Sequence, residues 1–282
     1  MYLKEPSSSP KSCIRLFVAG DRSQVGKSSV CIGILQYLLN SGFLPIDLAY
    51  IKPATQCEEQ QPIQLFCEEH SIACVPVGPI VYYKGFTREF LKGSLGSSEA
   101  LLQTAKQAVD NICANKKICL IDGVGYPAVG SITGTSNADV CKICNASVML
   151  VGRSGVGDAV DSFNLNASYF ESQGIEVVGV VFNKLSMSGY YTLENCSEAV
   201  TSYFDSKRKS VKVVGFVPQL EGDFGVKEFC EIFMEYCDVG GLFERLKGVG
   251  AGGTTPIATP TPTSKTRSEI EQVAKAQGAT GS

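Results

Sequence analysis

Gly26-Lys27-Ser28 stands between an apolar run, Ile14–Ala19, and a stretch of helical period, Lys27–Asn40. Residues of these types in this order suit the holding of a nucleotide phosphate. The backbone N–H groups of Ser23, Gln24, Val25, Gly26, Lys27, Ser28 and Ser29 then belong to a turn and a helix N-terminus, where partial positive charge meets phosphate oxygens. Lys27 adds a point charge, and a Ser28 hydroxyl at this place coordinates Mg²⁺. The general form of the loop has its first Gly five places before the second, at position 21. This chain has Asp21 there and Gly20 one place earlier, so its loop is one residue longer.

In open α/β sheets ligands gather at the carboxyl ends of the strands, so the residues just after strand-like runs carry the next information. Lys52 follows the second such run, and Pro53 holds it extended, which aims its side chain off the strand end toward the crevice. Asp122 ends the run Ile118–Asp122, where a carboxylate beside a phosphate loop holds Mg²⁺ or a water of its shell. Gly123 and Gly125 after it let backbone approach phosphate. Asn183 ends another run with an amide that can pair with a purine edge, and Pro218 ends the last with an apolar lid for the base. The expected set is thus Ser28 and Asp122 for the metal, Ser23 to Ser29 with Asn183 and Pro218 for the nucleotide, Lys27 on its phosphates, and Lys52 aimed into the crevice.

The elements that must place these residues alternate between β-branched runs and helix-period stretches, the pattern of an α/β fold of the P-loop NTPase type. This is a three-layer arrangement, a mostly parallel sheet with helices on both faces. Predicted strands are 14–19, 47–51, 118–122, 147–151, 176–182 and 212–217. Predicted helices are 27–40, 63–69, 98–114, 137–144, 158–173, 190–205 and 226–236. From Gly248 the composition turns to Gly, Thr and Pro, which buries too little apolar surface to offset chain entropy. The expected organisation is a flexible N-terminus over 1–12, one domain over 13–247, and a linker and tail over 248–282.

With 282 residues and 44% hydrophobic content, the chain has enough apolar surface for a core. A net charge of -3 with no basic stripe argues against nucleic acid as a partner. The first thirteen residues lack the apolar core of a signal peptide, and no stretch reaches the ~18 apolar residues of a membrane span. The expectation is a cytoplasmic protein without a membrane partner. The twelve Cys, scattered and with one C-x-x-C pair at Cys141 and Cys144, read as reduced thiols. His70 is the only histidine, so no multi-His metal site exists and a metal must be held by oxygen.

Five segments together resemble the dethiobiotin synthetase family. Gly20 to Ser28 is similar to its G-T-D-T-x-V-G-K-T loop, including the extra residue, and Ile51-Lys52-Pro53 to its Y-K-P-V motif. Ile121 to Gly125 is similar to V-E-G-A-G-G, Gly179 to Asn183 to G-V-V-L-N, and Gly215 to Pro218 to G-x-x-P. The resemblance covers roughly 14–246. It implies ATP and Mg²⁺ as cofactors, Lys27 and Lys52 on ATP and the reacting phosphoryl group, and Ser28 and Asp122 serving Mg²⁺. It also implies a homodimer, a small amine or carboxylate as substrate, and a place in biotin biosynthesis.

Two departures bear on the substrate: Gln24 replaces the acidic residue before V-G-K, and Gln56 replaces the Ser that helps hold the diamine carbamate. The stretches 123–132, 136–139 and 154–161 resemble instead the dethiobiotin-synthetase-like domain at the N-terminus of long phosphate acetyltransferases. Three functions stay open: an ATP-dependent ligase that phosphorylates a carboxylate or carbamate, a nucleotide-sensing regulatory module, and the ATP half of a cobyrinate-type amide synthase. The last would need its glutaminase from another subunit.

Overall fold

The computed structural model describes residues 13–220 and 224–249. The N-terminal segment 1–12 and nearly all of the tail expected from 248 lie outside the described residues. In chain order the elements are β1 Ile14–Gly20, α1 Lys27–Asn40, β2 Leu48–Ile51, β3 Ala54–Thr55, α2 Pro62–Glu69, β4 Ala73–Val75, β5 Ile80–Val81, α3 Phe86–Leu91 and α4 Ser98–Cys113. They continue with β6 Ile118–Asp122, α5 Asn137–Ile143, β7 Ser147–Gly152, α6 Gly157–Glu171, β8 Val177–Leu185, α7 Leu193–Lys207, β9 Lys212–Pro218, α8 Val226–Tyr236 and α9 Val239–Val249.

Seven strands form one sheet in the order β4-β2-β6-β1-β7-β8-β9, and every adjacent pair is parallel. Parallel strands covered on both faces must be apolar on both, and alternate side chains divide between two layers. In β1, Leu16 and Val18 pack on one face with α1, α2, α8 and α9, while Phe17 and Ala19 pack on the other with α4 to α7. These are the three layers expected from the pattern. β1 lies between β6 and β7, with Leu16 beside Leu120 and Ser147. That adjacency brings the phosphate loop, which follows β1, next to the residues that end β6 and β7.

Several elements differ from expectation for local reasons. α7 begins at Leu193 rather than 190, because the Thr192 hydroxyl accepts the backbone N–H of Asn195 and caps the helix there. β8 runs on to Leu185, which makes Asn183 and Lys184 part of the strand end. The short strands β3, β4 and β5 and the helices α3 and α9 are additional. β3 and β5 form a separate two-stranded sheet over a small cluster of Ala54, Ile80, Phe86, Ala105 and Val124. No described helix is long and apolar enough to cross a membrane.

Candidate functional site

The loop 20–26 leaves β1 at its carboxyl end, with the Asp21 N–H still bonded to Val151 O at 3.0 Å. Gly26 caps α1 with φ +98, and no side chain takes its first-turn N–H groups. Elsewhere Ser97, Ser136 and Thr192 cap α4, α5 and α7 with their hydroxyls. The first turn of α1 also holds no acidic residue, so its N–H groups are free to meet an anion.

Asp122 ends β6 beside the phosphate loop and is fully buried. Its Oδ2 accepts the Ser28 hydroxyl and the Tyr50 hydroxyl, each at 2.8 Å, and stands 3.8 Å from Lys52 Nζ. Its Oδ1 is buried with no partner. A buried, half-satisfied carboxylate beside a hydroxyl is an oxygen donor set that suits a hard cation. Among the described residues no group of three or more His, Cys, Asp or Glu side chains could hold a metal by itself. A cation here would take its remaining ligands from phosphate and water.

The structure brings Lys27, Ser28, Lys52 and Asp122 together, four of the residues expected from sequence. Burial lowers the Lys27 pKa below its ordinary value; Asp122 opposes that shift and Lys52 adds to it. Lys27 and Lys52 thus stand near the Asp122 carboxylate, and Asp21 also favours the charged form of Lys27. Lys52 Nζ also donates to Gln61 Oε1 at 3.2 Å, where the chain enters α2. Tyr50 and Gln61 carried no chemical signal in sequence, Tyr50 reading as one more core aromatic of β2. Its hydroxyl pKa is raised well above the ordinary value, by burial first and then by the Asp122 charge, so it stays a donor.

The other expected residues are spread around the loop. Asn183 is buried, and its Nδ2 donates to Val25 O at 2.9 Å, so its amide nitrogen braces the loop. Pro218, Met187, Ser154 and Lys184 line a cavity of about 620 Å³ at the ends of β7 to β9. Ser23 approaches the backbone of Gly125, and Gln24 takes φ +59. Val25 is buried, and Ser29 is half-buried in the first turn of α1. Gly123 is required by packing, since a Cβ there would stand 2.7 Å from Phe17 Cε1 and 3.0 Å from Asn137 Oδ1.

Asp21, where the general motif has Gly, is buried and tied to residues at and before α6. Its Oδ2 accepts Arg153 Nε at 3.0 Å and the Ser162 hydroxyl at 2.8 Å, which ties the loop to the start of α6. His70 caps α2, and its ring N–H donates to Phe66 O at 3.0 Å, so it belongs to the α1/α2/α8 side. Cys141 and Cys144 are free and buried.

A glycine-capped helix after the central strand of a parallel sheet, with a buried carboxylate on the neighbouring strand end, defines a P-loop nucleotide-binding protein. A family model described as an AAA domain matches residues 14–222, and the chain belongs to that family of P-loop NTPases. No protein of curated function matches it. Among solved structures, a plasmid partition protein from Borrelia burgdorferi bound to AMPPNP is 12% identical with a TM-score of 0.52, over 83% of this chain and 99% of that one. The MinD cell division protein of Aquifex aeolicus is 11% identical with a TM-score of 0.48, over 87% and 100%. The signal recognition particle receptor FtsY of Elizabethkingia anophelis in complex with GDP is 14% identical with a TM-score of 0.46, and 82% of this chain covers 66% of that one. The first of these likenesses supports the fold.

Proposed function

We propose that the chain binds Mg-ATP and activates a carboxylate or carbamate by phosphorylating its oxygen, a ligase reaction of the dethiobiotin synthetase type. The observation that carries this reading is Asp122, buried with Oδ1 unpartnered and ringed by Ser28, Tyr50 and Lys52. In it, Asp122 and Ser28 hold Mg²⁺, which when bound neutralises phosphate charge. Lys27 and the N–H groups from Ser23 to Ser29 hold the phosphates. Lys52, anchored on Gln61 and Asp122, is placed to meet the negative charge that spreads over the transferring group. Tyr50 keeps the Asp122 carboxylate in place by its hydrogen bond. The base lies in the cavity lined by Pro218, with Asn183 bracing the loop beneath it. The protein acts as a homodimer on a small amine or carboxylate.

A second reading makes nucleotide occupancy itself the output, as in a regulatory module. It is favoured by Gln56, which is exposed and uncharged where the diamine carbamate would be held. Phosphate release from Mg-ATP, with and without diaminopelargonic acid and bicarbonate, separates the two. Stimulation by the pair supports the ligase; ATP binding with no stimulated release supports the module.

A further inference from the structure

Cys13 directly precedes β1, and side chains two apart on a strand share a face, so Cys13 and Arg15 both point to the α4–α7 side of the sheet. Cys119 stands opposite Arg15 on β6, on that same side. The last turn of α4 crosses over them: Arg15 Nη2 pairs with Asp110 at 2.7 Å, and Cys113, three residues on, lies on the same face of the helix. Arg15 Nη1 also donates to Cys144 O at 2.8 Å, at the end of the C-x-x-C pair. Four thiols thus gather round one guanidinium. They do so at the amino end of β1, about 20 Å of strand away from the phosphate loop at its other end.

All four thiols are free; Cys113, Cys119 and Cys144 are buried and Cys13 is half-buried, so the cluster opens to solvent at Cys13. Among the described residues no three such side chains are placed to hold a metal, which leaves the thiols their own chemistry. Cys113 accepts hydrogen bonds from the Cys119 and Cys13 thiols, which with the Arg15 charge hold its pKa below the ordinary thiol value against burial. The two donors are shifted upward, first by those same hydrogen bonds. One sulfur of the group therefore carries the negative charge, and a thiolate is the form of cysteine that attacks peroxide.

We propose that Cys13 and Cys113 form an oxidation site, a dithiol that a small hydroperoxide converts to a disulfide. The Cys113 sulfur attacks the O–O bond; one oxygen leaves, with a proton, as water or alcohol, and the other stays on sulfur as a sulfenic acid. The Cys13 thiol then displaces that oxygen as water and the S–S bond forms. Together the two sulfurs lose two electrons, which the peroxide gains. Cys13 is the partner because it lies ahead of the β1 ladder, whereas Cys119 is held inside β6 with strands paired on both sides. The bond ties the start of β1 to the end of α4 and closes a loop of about 100 residues that contains the phosphate loop and Lys52.

The test uses the full chain carrying Cys57→Ser, which removes an exposed thiol, and treats it with hydrogen peroxide. Peptide mapping should find Cys13 joined to Cys113. The melting temperature should rise by about 5–15 °C, the worth of closing so long a loop, and return on reduction with dithiothreitol. Adding Cys13→Ser should stop the reaction at a sulfenic acid that dimedone labels on Cys113, and adding Cys113→Ser should give neither label nor disulfide. Each variant is checked for a folded melting transition in reductant; if Cys113→Ser does not fold, Cys13→Ser carries the test by itself. The proposal is overturned if no Cys13–Cys113 link forms, if dimedone labels another cysteine of the Cys13→Ser chain instead, or if the oxidised chain melts no higher than the reduced one.

Discussion

Gly26→Ala tests whether the loop is held in the shape described, through Asn183. At φ +98 any L-residue is strained, which costs about 1–3 kcal/mol. A Cβ at this position would stand 2.3 Å from Asn183 Nδ2, the atom that bonds Val25 O, so Asn183 must also move. Giving up that hydrogen bond in a buried place adds about 1–3 kcal/mol. Gly26→Ala should therefore destabilise the chain by roughly 2–6 kcal/mol on summing the two. The two parts are separable in a double-mutant cycle. In an Asn183→Ala background the amide is already gone, so Gly26→Ala should cost only the backbone part, and the coupling energy should be at least about 1 kcal/mol. Urea unfolding of the four proteins measures this. Additivity within about 0.5 kcal/mol would refute the claim that Asn183 and the loop fit one another at this point.

Lys27→Ala should weaken Mg-ATP binding about ten- to a hundredfold by calorimetry, the worth of a charge-assisted phosphate contact; unchanged affinity would remove Lys27 from the phosphate site. Because burial depresses the Lys27 pKa, the unfolded chain binds its proton more tightly than the folded one. Stability from this group therefore rises with pH between the depressed folded value and the ordinary one near 10.5, and Lys27→Met should lack that alkaline rise when the two proteins are compared by denaturant unfolding. Asp122→Asn should raise the Mg²⁺ concentration needed for half-maximal ATP binding, since an amide is a poorer ligand for a hard cation than a carboxylate; an unmoved midpoint would leave Asp122 without a metal role. Lys52→Ala should keep ATP affinity within about tenfold while substrate-stimulated phosphate release falls about a hundredfold or more; equal losses in both would make Lys52 a binding residue.

The parts of the site legible in sequence are those whose chemistry is local. Gly26-Lys27-Ser28 announces itself by spacing, and Asp122 and Lys52 by falling at the ends of apolar runs. The hydrogen bonds that make the site work span 72 residues from Tyr50 to Asp122 and 160 from Gln24 to Lys184, so no window of sequence contains them. Tyr50 looks like core because its ring is core; only the sheet order, which sets β2 beside β6, reveals that its hydroxyl reaches a carboxylate. Asn183 was legible as a polar residue at a strand end, but its amide nitrogen is turned toward the loop, a matter of tertiary placement. The fold was legible where strands run four residues or more. β3, β4 and β5, two or three residues each, leave too little periodicity to read and exist because neighbouring strands and loops pair with them.

The position of β1 at the middle of the sheet has a bearing on how the chain matures. Its two neighbours, β6 and β7, begin at Ile118 and Ser147, so during synthesis the central strand has both hydrogen-bonding edges open until much of the chain has emerged. At about 5–20 residues per second, the roughly 130 residues between β1 and β7 take on the order of 10 s to appear. Until β6 emerges Leu16-Phe17-Val18-Ala19 is an apolar segment with nothing to pair with, and one edge stays open until β7 follows, the kind of edge that recruits other chains. The same topology that centres the phosphate loop thus leaves its leading strand without partners until late in synthesis, and it makes nucleotide a ligand of the finished fold rather than a guide to its assembly.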